Sequence, residues 1–68
     1  MDAKISMKAA RVNAGYTQAA MAKKLEVTRV TYIKWENGKV QIRTPQFRMF
    51  CDIVGIGPDG IFLPKKSK

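Results

Sequence analysis

The chain has 68 residues, with 13 Lys or Arg against five Asp or Glu, for a net charge of +8. A chain this short holds one hydrophobic core and no deep catalytic cleft, so a functional site must lie on its surface. The cationic excess attracts polyanions, nucleic acid first; an anionic membrane comes second, but no apolar run approaches the ~20 residues of a span and no signal-peptide core opens the chain, which reads as cytoplasmic.

Apolar residues form 46% of the chain and are spread along it, with Tyr16, Tyr32, Trp35, Phe47, Phe50 and Phe62 as the large side chains. That pattern predicts a packed globular domain instead of disorder. There is no histidine and one cysteine, Cys51, so neither a common zinc-ligand set nor an internal disulfide is expected, and no cofactor. Cys51 falls in a helix-like run beside Phe50 and Ile53 and reads as a small core residue. The five carboxylates, Asp2, Glu26, Glu36, Asp52 and Asp59, stand beside no reactive-serine motif or glycine-rich phosphate loop, so an enzyme is not expected.

From Ala3 to about Asn13, Ala3, Met7, Ala10 and Ala14 recur on one helical face, with Ile5 and Val12 off that stripe. Gly15 is a natural stop for this first helix. Thr17 offers an N-cap to a second helix over Gln18–Leu25, whose periodic set is Met21, Ala22 and Leu25. Thr28 repeats the cap, with Val27 before it as an apolar staple, and the third helix presents Tyr32 and Trp35 on one face before Asn37-Gly38 closes it. Lys39 to Arg43 is a loop carrying two cations. Thr44-Pro45 reads as an N-cap and first helical position for a fourth helix to about Val54, burying Phe47, Phe50, Cys51 and Val54. After a connection over Gly55–Pro58, Asp59 to Leu63 is expected to form a final turn. The expected fold is all-α, a compact bundle of about five short helices with a helix-turn-helix formed by the second and third. Residues 1–64 make one DNA-binding domain and 65–68 a basic tail.

A helix-turn-helix needs a small residue where its two helices cross, so that the first braces the second in the major groove. Ala22 meets that need, and Lys23, Lys24, Arg29 and Lys34 lie on the solvent side. With the Tyr16-Thr17-Gln18 start, the Ala22-x-x-Leu25 spacing, Val27-Thr28 before the third helix and Trp35-Glu36-Asn37-Gly38 at its end, the chain resembles the lambda-repressor-like, or Cro/repressor, family of helix-turn-helix domains over about residues 7–63.

The resemblance implies a role for each matching position. Gln18 would bond a phosphate or an edge base at a helix N-terminus. Arg29 and Val30 would face base edges, as would Lys34 one turn later, with Arg29 suited to guanine and Val30 to a thymine methyl. Thr28, Thr31, Asn37, Lys39 and Arg43 would hold the DNA backbone. Arg11 and Glu36 match positions that form a structural ion pair in relatives. Glu26 occupies a turn position where relatives often carry glycine, at a cost of roughly 1 kcal/mol if the backbone there is left-handed. Ile33 sets an apolar side chain near the DNA-facing side.

These readings imply a sequence-specific regulator of transcription, a phage-type or plasmid-type repressor that binds a near-palindromic operator in double-stranded DNA as a homodimer. Ile56, Ile61, Phe62 and Leu63 are the candidate dimer surface. The alternative is a protein-interaction module of the same fold, an antitoxin or adaptor with a protein partner. A third reading, charge-driven binding without specificity, differs in losing specific and random duplex together as salt rises.

Overall fold

Ser6 begins the helical part of the chain: its hydroxyl accepts a hydrogen bond from the Ala9 amide at 3.0 Å, capping α1 (Met7–Asn13). The computed structural model describes residues 4–64. Thr17 caps α2 (Gln18–Lys24) in the same way, accepting from the Ala20 amide at 3.0 Å, and Thr28 caps α3 (Arg29–Glu36), accepting from Thr31 at 3.2 Å. Both threonine caps stand where the sequence puts them.

The three helices also end alike. After each, the chain turns through one left-handed residue, and two amides reach back to the last helical carbonyls. Gly15 (φ +86°), Glu26 (φ +63°) and Gly38 (φ +76°) hold the left-handed position. The returning bonds run from Gly15 and Tyr16 to Val12 and Arg11, from Glu26 and Val27 to Lys23 and Ala22, and from Gly38 and Lys39 to Trp35 and Lys34. The turn between α2 and α3 is therefore a genuine helix stop, built on a glutamate where a glycine would carry no Cβ penalty.

A loop with Ile42 buried leads to α4 (Thr44–Val54), which ends at the left-handed Gly55 (φ +73°). Here the expectation shifts by one residue: Arg43, not Thr44, is the N-cap, no side chain caps the helix, and Pro45 sits inside its first turn, where its missing N–H leaves no bond unmade.

Two expectations need correction. Among the described residues the bundle has four α-helices, not about five, and is not purely α. Asp59 to Leu63 forms no fifth helix: a single 3-10 turn over Pro58–Gly60 passes into an extended pair, Ile61–Phe62. This strand, β2, pairs in parallel with β1 (Ile5–Ser6), placing Ile5 against Ile61 and Ser6 against Phe62. The same pairing explains why the first helix starts at Met7 and not at Ala3, which lies outside the described residues. Ser6 is worth more as a cap than as a helix interior residue, and Ile5, β-branched, pairs well on a strand. The second correction follows from the first: Ile61, expected on a dimer surface, is 3% exposed and belongs to the core. The proposed tail, 65–68, also lies outside the described residues.

The core joins Met7 and Ala10 of α1, Met21 and Ala22 of α2 with its C-cap Leu25, Tyr32 and Trp35 of α3, Ile42 of the following loop, Phe50 and Cys51 of α4, and Ile61 of β2. Tyr32 and Trp35 meet edge to face with ring centroids 6.4 Å apart. Ala14, expected on the inner stripe of α1, is exposed, and so is Val12, while Ile5 packs against the core.

Candidate nucleic-acid interface

The burial pattern of α3 divides its circumference in two. At about 100° per residue, Arg29, Val30, Ile33 and Lys34 share an arc of about 140°, and Tyr32, Trp35 and Glu36 share a separate arc of about 100°, with Glu36 at its edge next to Arg29. Tyr32 and Trp35 are buried, Arg29 and Lys34 are exposed, Ile33 is half-buried, and Val30 is 62% exposed. The helix is thus fixed by its inner aromatics and offers solvent a guanidinium, an ammonium and a branched apolar side chain. Ala22, 2% exposed, lets α2 lie close across it.

Thr28 spends its hydroxyl on the cap and on a second bond, donating to Thr31 Oγ1 at 3.0 Å, so the start of α3 is locked by two threonines. Asn37, the C-cap of α3, Lys39 in the following loop and Arg43, the N-cap of α4, are exposed. Thr28 and Asn37 thus stand at the two ends of α3, Lys39 comes two residues after Asn37, and Arg43 stands at the start of α4. Lys24 lies with its Nζ 5.9 Å from the ring centre of Tyr16, a cation–π contact that ties it to its own domain.

Beneath this face lies a polar network that the apolar periodicity does not announce. Arg11 Nε donates to Glu36 Oε2 at 2.6 Å, an ion pair whose side chains are 8% and 3% exposed. Tyr32 OH donates to the same oxygen at 2.6 Å. Gln18 Nε2 donates to the other oxygen, Oε1, at 3.2 Å, and Arg11 Nη1 donates to the Tyr16 carbonyl at 2.8 Å. One carboxylate at the end of α3 therefore gathers α1, the start of α2 and its own helix. Tyr32 and Glu36, four apart, had the spacing of a helical side-chain pair; the Gln18 contact had no signal in the sequence.

Burial alone would raise the Glu36 carboxyl, but hydrogen bonds from Arg11, Tyr32 and Gln18, together with the Arg11 charge, hold it below the usual carboxylate range. Tyr32 moves the other way. Its burial, and then its bond to ionised Glu36, push the phenol well above its usual value. The Cys51 thiol is raised by burial and then by the charge of Asp52, so the sulfur stays protonated and unreactive.

No helix among the described residues is long and apolar enough to cross a membrane. No curated protein and no solved structure matches the chain significantly. The helix-turn-helix family model matches residues 7–61, from the first residue of α1 to the first of β2, and so spans the whole scaffold that holds α3 outward. On that match the chain belongs to the Cro/C1-type helix-turn-helix family of DNA-binding transcription regulators.

Proposed function

We propose that this chain is a sequence-specific repressor of phage or plasmid type, acting in the cytoplasm on a near-palindromic operator in double-stranded DNA as a homodimer. The observation that carries the reading is the two-sided character of α3, anchored by Tyr32, Trp35 and Glu36 and free on the side of Arg29, Val30 and Lys34. In a major groove, Arg29 pairs with guanine O6 and N7, Val30 meets a thymine methyl and Lys34 reaches an acceptor one turn on. Gln18 contacts the edge of the half-site. Thr31, Asn37, Lys39 and Arg43 bond phosphates and set register without reading sequence, and Thr28 joins them by turning its hydroxyl hydrogen from Thr31 Oγ1 to a phosphate.

One domain this small buries a modest DNA interface, so useful specificity calls for two recognition helices about 34 Å apart. With Ile61 in the core, the dimer surface narrows to Phe62, 49% exposed, beside the half-buried Ile56 and Leu63. Selection of bound sites from random duplexes tests the reading. The expected result is an enriched motif of two inverted half-sites one helical turn apart; a pool without enrichment overturns it and leaves an adaptor or antitoxin role. Sedimentation of the protein with and without the selected duplex tests the dimer, and a single domain bound per duplex rules it out.

A further inference from the structure

We infer that Glu36 is a positioning residue for DNA binding: its carboxylate fixes which way round the Gln18 amide faces, so that Gln18 meets DNA with a carbonyl oxygen and one N–H already oriented. This rests on the proposed reading in which Gln18 contacts DNA.

A glutamine amide is nearly symmetric in shape but not in chemistry, since one side accepts hydrogen bonds and the other donates them. On a free surface the two orientations interconvert, and a ligand must select one at an entropic cost. Here the choice is made in advance. An ionised carboxylate only accepts, so the group facing Glu36 Oε1 is the Gln18 NH2, at 3.2 Å. The other carboxylate oxygen is held by Arg11 and Tyr32, each at 2.6 Å, and the Glu36 side chain is 3% exposed, so the acceptor is itself immobile. Gln18 is half-buried at the first position of α2, with that single side-chain bond.

Held this way, Gln18 keeps its oxygen and its second amide hydrogen for a ligand. Adenine, with a donor at N6 and an acceptor at N7, matches both, and a phosphate takes the N–H. Guanine, with acceptors alone at N7 and O6, opposes the oxygen. The network thus carries orientation from α1 through the end of α3 to a side chain on α2.

The test is a double-mutant cycle on the selected operator duplex at fixed salt, with Gln18→Ala, Glu36→Asp and the pair. Glu36→Asp keeps the charge opposite Arg11 and draws it back from Gln18. Each single change is expected to weaken binding about three- to tenfold, and Glu36→Asp to add nothing once Gln18 is alanine. Additive losses, or no loss from Gln18→Ala, overturn the inference while leaving the DNA-binding reading in place. A failed selection with wild type removes both.

Should Glu36→Asp not fold, the wild-type protein decides the matter by side-chain amide NMR. The Gln18 NH2 should show an order parameter close to the rigid backbone value of about 0.85, and that of exposed Gln41 should fall below about 0.6. Equal mobility of the two overturns the inference.

Discussion

Arg29 and Lys39 are both exposed cations, yet their positions give them different consequences on removal. Arg29, the first residue of α3, meets a base edge in the proposed reading: Arg29→Ala should then lose about 1–3 kcal/mol of binding and relax preference at one base pair. Lys39 follows the helix and meets a phosphate in the proposed reading: Lys39→Ala should then weaken all duplexes alike and lower the salt slope by about one. Titrations of both variants against specific and random duplex across a salt series separate the two outcomes. Glu26 is a third instructive residue. Its left-handed backbone (φ +63°) occupies the place that glycine holds after α1 and α3. Glu26→Gly should therefore stabilise the domain by about 0.5–1 kcal/mol, net of the flexibility glycine adds to the unfolded chain, and raise the thermal midpoint by a few degrees. An unchanged or lower midpoint would show that the glutamate side chain contributes something the backbone account leaves out.

The α2–α3 unit owes its geometry to what is small between its helices and to what is capped at their starts. Ala22→Leu should force the helices apart or Tyr32 off its rotamer, destabilising the domain by about 1–3 kcal/mol and weakening DNA binding beyond the loss of folded protein; urea unfolding and binding of the same variant check this together. These elements were readable in the sequence because their determinants are local: Thr17 and Thr28 cap within three residues, and Met21, Leu25, Tyr32 and Trp35 repeat at helical spacing. The start of α1 was misread for an equally local reason. Ala3, Met7 and Ala10 continue a helical stripe through Ser6, and the stripe hides the cap. Strands of two residues leave no period-two pattern, so β1 and β2 are visible only once Ile5 and Ile61 stand side by side. The exposed cations of α3 were legible, and the anchoring of Gln18 by Glu36 was not, since their contact spans two helices.

For the molecule as a whole, the buried network sets how stability varies with pH. Glu36 titrates lower in the folded chain than its ordinary value of about 4.3, so its contribution is complete above that value and is lost as pH falls through the folded one. Tyr32 titrates higher in the folded chain, so its contribution is complete below about 10 and declines as pH rises further, where the unfolded phenol ionises and the folded one does not. Urea midpoints across a pH series should trace both flanks, and Tyr32→Phe should flatten the alkaline one and also weaken the acid one, because the Glu36 carboxyl loses one of the hydrogen bonds that hold it low.

The pairing of Ile5 with Ile61 also bears on how the protein is made. A ribosome releases Ser6 and Met7 long before Phe62, so β1 and α1 wait with the partner strand β2 still unsynthesised, and the domain closes only after that strand clears the exit tunnel. A nascent chain stalled short of Ile61 should remain open to proteases along its first helix, and one released past Phe62 should resist them.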